Sequence, residues 1–228
     1  MNLNRLENLI GSSNEDKLKH LNILIIGLGG VGGYVVESLV RSGVGRFTLV
    51  DYDTIKPSNI NRQIVVTRFN NNKYKTKEWK KRIKLINKEA KVNIINTKIT
   101  EDNIELLFME NYDYIIDACD TVLVKISLIK ECHKRNVKLI SSMGMANKLD
   151  ASKIQITTLD KTDYDPLAKK IRRAIRDKEI MKNVTVVSST EKGLNTGVLA
   201  SNAYVPAVGG LYITNHIIND IMNKKASE

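Results

Sequence analysis

Residues 21–53 read LNILIIGLGGVGGYVVESLVRSGVGRFTLVDYD, and this stretch decides the fold. Residues 23–26 are an uninterrupted apolar run, the pattern of a strand covered on both faces in a parallel sheet. Gly27, Gly29, Gly30, Gly32 and Gly33 follow at once. Such a segment turns tightly and, lacking Cβ atoms, lets a phosphate approach the main chain. Residues 31–42 then read as a helix with Val35, Val36, Leu39 and Val40 on its apolar side. Its N-terminus would direct unpaired N–H groups and a positive dipole end at an anion. Residues 47–50 make a second strand, with Asp51 and Asp53 at its carboxyl end, where a ribose hydroxyl is met. The spacing Gly27-x-Gly29-x-x-Gly32 inside a strand–helix–strand unit is that of a nucleotide site. Taken alone it points first to the nicotinamide site of an oxidoreductase, with a ligand-free glycine turn as the bland alternative.

The chain around it has 228 residues, enough for one domain with a substantial core. No apolar run reaches membrane-spanning length, and MNLNRLENLIGSSNEDK at the start lacks a secretory pattern. A soluble cytoplasmic protein is expected. Cys119 and Cys132 are the two cysteines and form no C-x-x-C pair, which argues against disulfide scaffolding and structural zinc. Lys and Arg number 36 against 25 Asp and Glu, a net charge of +11. A polyanionic partner, RNA first, or a general compositional habit would each explain that excess. The basic residues concentrate at 73–91 and 161–182, which tilts the balance towards RNA.

Upstream of the motif, residues 15–20 form a short helix after a Ser12-Ser13-Asn14 cap region. Arg5 lies ahead of it and by itself is a solvated surface charge. Downstream, residues 54–63 (TIKPSNINRQ) form a polar loop carrying Asn59 and Arg62. Residues 72–87 give a basic helix with Trp79, Ile83 and Ile86 as its apolar stripe and Lys75 near its start. A strand at 92–96, a helix at 101–108 and a strand at 112–116 follow, the last running into Asp117-Ala118-Cys119-Asp120. Asp120, just beyond a parallel strand, would hold Mg²⁺ or cap the helix at 122–135, and the cap is the more ordinary role. A strand at 137–141 and a small-residue turn at 143–146 come next. Beyond Asp150 lie a half-exposed strand (153–159), a basic helix (167–176) entered through Asp165-Pro166, and a strand (184–188). A long polar loop (188–202) and a helix (205–222) close the chain. The expected class is α/β: a Rossmann-like, mostly parallel sheet with helices on both faces and an elaborated C-terminal part. One domain spans 1–228, with a nucleotide-binding half to about residue 150 and a substrate or dimer part from about 151 to 228.

GLGGVG (27–32), VDYDTIKPSNINRQ (50–63), Lys75 and IIDACD (115–120) together resemble the adenylating enzymes related to ubiquitin activators. These include activators of the sulfur carriers for thiamine and molybdopterin. Within that superfamily the chain looks most like the tRNA threonylcarbamoyladenosine dehydratases. NRLENLIG (4–11), GYVVESLVRSGVGRFTLVDYD (33–53), DPLAKKIRRAI (165–175) and VVSSTEKG (186–193) carry that likeness over nearly the whole chain.

The resemblance implies a single adenylating domain that uses ATP and Mg²⁺, not a dinucleotide. A carboxylate on the modified adenosine beside the tRNA anticodon attacks the α-phosphate, giving an acyl-adenylate and pyrophosphate, and a nitrogen of the same base closes a ring. Matched onto this sequence, Gly27, Gly29, Gly30 and Gly32 cradle the phosphates, Asp51 holds the ribose and Asp53 adds a second acidic contact. Asn59, Arg62 and Lys75 match the N-x-x-R-Q motif and its following lysine; Arg62 and Lys75 neutralise the phosphate chain, and Asp120 coordinates Mg²⁺. Arg5 matches a position that reaches the partner's ATP in a homodimer. Sulfur-transfer proteins are a further class of partner in such families. The chain departs from the sulfur-carrier activators in lacking two C-x-x-C pairs and in having Thr121 where Asn commonly follows Asp120. Activation of a ubiquitin-like sulfur carrier is therefore the second reading. A nicotinamide oxidoreductase comes third, having no use for Arg62 and Lys75 so placed. Cys119 and Cys132 are read as buried apolar residues.

Overall fold

The computed structural model describes residues 1–223, and residues 224–228, the end of the expected C-terminal part, lie outside the described residues. In chain order the elements are α1 (Asn4–Ile10), α2 (Ser12–His20), β1 (Asn22–Ile26), α3 (Gly32–Arg41), β2 (Arg46–Val50), α4 (Lys75–Ile86) and β3 (Lys91–Ile95). They continue as β4 (Tyr114–Asp117), α5 (Val122–Arg135), β5 (Leu139–Ser142), β6 (Ile154–Thr158), α6 (Pro166–Ile175), α7 (Lys178–Asn183), β7 (Thr185–Ser189) and α8 (Tyr204–Asn223). The strands make one sheet in the order β3-β2-β1-β4-β5-β7-β6. All neighbours pair in parallel except β6, which runs antiparallel to β7 at the edge. The sequence expectation of a mostly parallel Rossmann-like sheet matches this architecture.

Helices cover both faces, and the period of two along each strand sorts its side chains between two cores. Ile23 and Ile25 of β1 enter one core with residues of α3, α4 and α8. Leu24 and Ile26 enter the other with residues of α5 and α6. Burial on both faces is why β1 reads as a continuous apolar run. The edge strand β6 is only half-buried along Gln155–Thr158, which explains its polar alternation. On the first face α3 meets α4 closely: a Cβ on Gly33 would lie 3.1 Å from Trp79 Cζ2. Glu37 of α3 accepts hydrogen bonds from Arg82 of α4 at 2.6 and 2.9 Å and from Arg41 at 2.8 Å.

Local details correct several expectations. The helix expected at 15–20 starts already at Ser12, so residues 12–14 form its first turn and not its cap, and an unforeseen helix α1 precedes it across Gly11, whose φ of 82° lies in the left-handed region. The basic helix begins at Lys75 and not at 72, because Asn72 takes φ 61° and bonds back to Ile55. The helix expected at 101–108 is a 3-10 turn over Ile104–Phe108, since the Asn103 side chain ties the preceding turn to Thr100 N and Lys98 O. Helix α7 was not foreseen; Arg176 at φ 56° ends α6, and Asp177 restarts the chain by accepting from Glu179 N and Ile180 N. Asp165 caps α6 as its sequence suggested, with Pro166 in the first turn.

Trp79 is fully buried between α4 and the first core and is the single tryptophan of the chain. Trp79→Ala is expected to destabilise the fold by about 3–5 kcal/mol, the scale for emptying a buried aromatic site. Urea unfolding followed by circular dichroism measures it; a loss under about 1 kcal/mol would show that α4 contributes little to the core.

Candidate nucleotide-binding site

The glycine segment closes on itself and on the end of β4. Gly27 continues β1, donates to Val50 O at 2.8 Å and takes φ 86°. A Cβ on Gly27 would lie 2.7 Å from Ala118 O, and one on Gly32 only 1.9 Å from Gly27 O. Side chains at these two positions are sterically excluded. At Gly29 the nearest atom to a Cβ would be Gln63 Nε2 at 3.8 Å, and at Gly30 the neighbours are Pro206 Cβ at 3.1 Å and Arg62 Cγ at 3.6 Å. The turn therefore exposes main chain under a roof made by Arg62, Gln63 and the start of α8. No side chain caps α3; within its first turn Gly33 N donates to Gly29 O at 3.0 Å, so the turn's own carbonyl takes one of the helix's end donors. This cradle fits a phosphate chain.

Asp51 locks the turn to the end of β2. Its Oδ2 accepts from Leu28 N and its Oδ1 from Asp53 N, both at 2.8 Å. Lys75, in the first turn of α4, is buried, with its ammonium 2.8 Å from Asp53 Oδ2 and 3.5 Å from Asp51 Oδ2. The structure thus brings Lys75, Asp51 and Asp53 together, with the lysine held on the acidic pair. Asn59 is buried and folds the loop: its Oδ1 accepts from Lys56 N at 3.0 Å, and its carbonyl accepts from Arg62 N and Gln63 N. Arg62 donates from Nη1 to Asn61 Oδ1 at 2.7 Å and to Ser58 O at 3.0 Å, which holds its stem over Gly30.

Asp120 is exposed at the carboxyl end of β4, beside β1. It does not cap α5, whose N-cap is Thr121 with no side-chain cap bond, so the more ordinary of its two sequence roles is excluded. Its field reaches the carboxyl end of β2. The Tyr52 hydroxyl is pushed up first by Asp53, then by burial, and further by Asp120 and Asp51. Among the described residues no group of three or more His, Cys, Asp or Glu side chains could hold a metal. A magnesium ion at Asp120 would therefore draw its other ligands from substrate phosphates and water, the usual habit of that ion.

Arg5 stands apart. It is exposed on α1, and Leu3 just before it rests on Gly43, ahead of the amino end of β2. The carbonyl of Lys19 at the end of α2 closes on Gly45 in the same place. Both helices therefore lie at the end of the sheet away from the glycine turn, and Arg5 does not join the site of its own chain.

A buried ion pair beneath the turn was not singled out from sequence. Asp117 and Lys125 are fully buried, with Lys125 Nζ 2.9 Å from Asp117 Oδ2. Lys125 also donates to Ser142 O at 2.7 Å and Ser141 Oγ at 3.3 Å, while Ser141 Oγ donates to Asp117 Oδ2 at 2.6 Å. Cys119 donates to Asp117 Oδ1 from both N and Sγ. These bonds tie the ends of β4 and β5 together and shape the Ala118–Cys119 step on which Gly27 and Gly32 close. The only signal for the pair in the sequence was a charged residue inside an otherwise apolar helical stripe. Burial, with Asp117 second, pushes the Cys119 thiol up and keeps it protonated; burial also pushes Cys132 up, to about 12. Cys132 is buried as expected, whereas Cys119 is partly exposed as a residue. Gln63 was read only as a letter of the loop motif. Its Oε1 is buried without a hydrogen-bond partner, beside the turn.

An α/β fold with a glycine turn between β1 and α3, Arg62 over that turn and Lys75 paired to Asp51 and Asp53 beside it has the geometry of a candidate nucleotide site. The chain belongs to the ThiF family, whose family model matches residues 2–225. It is similar to the tRNA threonylcarbamoyladenosine dehydratase of Bacillus subtilis, at 38% identity over 96% of this chain and 93% of that protein. The same enzyme of Escherichia coli is 37% identical over 75% of this chain and 66% of that one. The crystal structure of the E. coli tRNA N6-threonylcarbamoyladenosine dehydratase in complex with ATP superposes with a TM-score of 0.94 at 31% identity, covering 99% of this chain and 95% of that chain. E. coli MccB with ATP, at 23% identity and a TM-score of 0.66, shares the fold.

The ion pairs make the site residues unequal in their effect on stability. Lys75→Ala leaves Asp51 and Asp53 facing each other without their counter-ion and is expected to destabilise the protein by about 1–3 kcal/mol, Asp53 being partly solvated. Arg62→Ala and Asp120→Ala are expected to stay within about 0.5 kcal/mol of the parent. Urea midpoints without nucleotide compare the three; an unchanged Lys75→Ala midpoint would show that the pair adds nothing to the fold.

Proposed function

We propose that this chain is an ATP-dependent tRNA threonylcarbamoyladenosine dehydratase, which adenylates the carboxylate of that nucleoside and cyclises it. The match over 99% of the chain to a dehydratase crystallised with ATP carries the reading. The clustering of Arg62, Lys75, Asp51 and Asp53 round the glycine turn supports it. In this scheme the turn and the first N–H groups of α3 hold the phosphates, and Asp51 and Asp53 face the ribose. Lys75 exchanges its acidic partners for phosphate oxygens when ATP enters, and Arg62 approaches from the loop. Asp120 would hold Mg²⁺, which would supply positive charge for the reacting phosphates.

The chemistry asks mainly for positioning and for charge where charge develops. A substrate carboxylate oxygen bonds to the α-phosphorus as the bond to pyrophosphate breaks. A nitrogen of the same modified base then attacks the activated carbonyl carbon, its proton passes to solvent and AMP departs. The net change is loss of water from the nucleoside, and no enzyme thiol is needed. That agrees with the protonated, hydrogen-bonded state of Cys119. The test is nucleoside mass spectrometry of tRNA carrying the linear nucleoside after incubation with protein, ATP and Mg²⁺. Cyclic product is expected, with turnover about 100-fold lower for Arg62→Ala or Asp120→Ala, the loss of one preorganised contact. Tight NAD binding without ATP binding, and no cyclic product, would remove the reading.

The tRNA partner directs attention to the two basic helices, which lie on opposite faces of the sheet. On α4 the charges are partly spent, Arg82 on Glu37 and Lys81 on Glu78. On α6, Lys169, Lys170 and Arg173 are exposed and make no ion pair among the described residues. Helix α6 is the better candidate for gripping RNA phosphates. No helix among the described residues is long and apolar enough to cross a membrane.

The position of Arg5, at the far end of the sheet from its own glycine turn, supports a homodimer in which it completes the partner's site. Mixing Arg5→Ala with Asp120→Ala subunits is expected to raise activity well above that of either variant alone. A fully active monomer in analytical ultracentrifugation would end this arrangement.

A further inference from the structure

Tyr164 is held in a backbone conformation that its side chain disfavours, and the fold gains nothing visible from its ring. Its φ is 50°, in the left-handed region, and the residue is 65% exposed. For a bulky residue this conformation is an outlier that costs free energy and persists only when its surroundings enforce it. Both flanks do enforce it. On one side the Thr162 hydroxyl donates to Leu159 O at 2.8 Å, and Arg172 Nη1 donates to Thr162 O at 2.7 Å and to its hydroxyl. On the other, Asp165 accepts from Leu167 N at 2.8 Å, Ala168 N at 3.0 Å and Gly144 N at 2.7 Å. Among the described residues, the Tyr164 ring itself makes no hydrogen bond and no cation–π contact.

The place of the ring gives it a use. Gly144 follows β5, which pairs with β4 so that Ser141 lies opposite Asp117, and β4 leads directly to Asp120. Tyr164 therefore stands at the carboxyl end of the sheet, the end that carries the glycine turn. Immediately behind it in the chain come Lys169, Lys170 and Arg173 of α6, exposed and without acidic partners. A solvent-facing aromatic ring beside a row of unpaired cations is what single-stranded RNA requires: a face on which a base stacks and charges for its phosphates.

We propose that Tyr164 is a stacking platform for an unpaired nucleobase of the RNA substrate, with α6 holding the adjoining phosphates. This rests on the tRNA reading above and adds the residue that recognises the single-stranded part of the substrate. A protein partner is the alternative occupant; the bare cations beside the ring favour RNA.

The test uses the full chain and two RNAs of equal length, a stem-loop and a blunt duplex, with dissociation constants from fluorescence anisotropy. Tyr164→Leu and Tyr164→Gly are expected to weaken stem-loop binding about tenfold or more, the scale of one lost base stack, and to leave duplex and ATP binding unchanged. Tyr164→Phe and Tyr164→Trp should bind the stem-loop like the parent. Tyr164→Gly should also melt no lower than the parent, because glycine takes φ 50° without strain, so weaker binding could not be ascribed to unfolding. Parent-like stem-loop binding by Tyr164→Leu would overturn the proposal, as would equal losses on both RNAs, which mark a general surface effect. A parent protein that binds neither RNA would instead overturn the tRNA reading itself, and this proposal with it.

Discussion

The carbonyl oxygen of Gly27 lies 1.9 Å from where a Cβ on Gly32 would be, and the rest of the site depends on that contact. It brings the start of α3 directly over the end of β1. The Ala118 carbonyl stands against Gly27 from the other side, so the turn is confined between its own helix and the end of β4. Asp51 completes the enclosure by accepting from Leu28 N. The main chain of the cradle is thus held on three sides by groups from β2, β4 and α3. A turn held in this way is fixed before any ligand enters, which is the condition for preorganised binding.

Two buried lysines serve this arrangement in different ways. Lys125 is sealed beneath the turn with Asp117, Ser141 and the Ser142 carbonyl, so its donors are satisfied inside the protein. Such a pair adds little net stability over an apolar substitute, but breaking one half of it is costly, and it dictates one geometry for two strand ends. Lys75 is buried against one carboxylate that is partly solvated and another that is itself used by the backbone. The same protein therefore carries one lysine sealed on all sides and one that shares a partly solvated carboxylate.

The elements that surround the cradle divide by role. Those on the first face, α3, α4 and α8, anchor the turn through shared core packing, with Pro206 of α8 reaching Gly30. On the second face α5 and α6 pack into the other core, and the segment just before α6 carries the exposed Tyr164 ring. The long segment after β7 bridges the two. Asn61 of the site loop donates to Ser201 O, while Asn147 holds Leu194 and Ala200 through backbone bonds.

The sequence by itself determined the β1–α3–β2 unit, because strand and helix periods and glycine spacing are local properties. It determined the start of α6 for the same reason: Asp165 followed by Pro166 supplies a cap and a preset φ within three residues. The loop residues Asn59 and Arg62 were legible through their motif, and the structure places Arg62 over Gly30. Tertiary structure alone decided who pairs with whom. Lys75 meets Asp51 and Asp53 across more than 20 residues of chain, as its bonds to them show. Asp117 finds Ser141 only because β4 and β5 lie side by side. Asp120 falls one residue short of the N-cap of α5, which Thr121 occupies without a side-chain cap bond, and Arg5 was carried to the far end of the sheet by the packing of Leu3 on Gly43. Desolvation and charge pairing follow from which strand ends the sheet order brings together, and no local period in a sequence encodes that order.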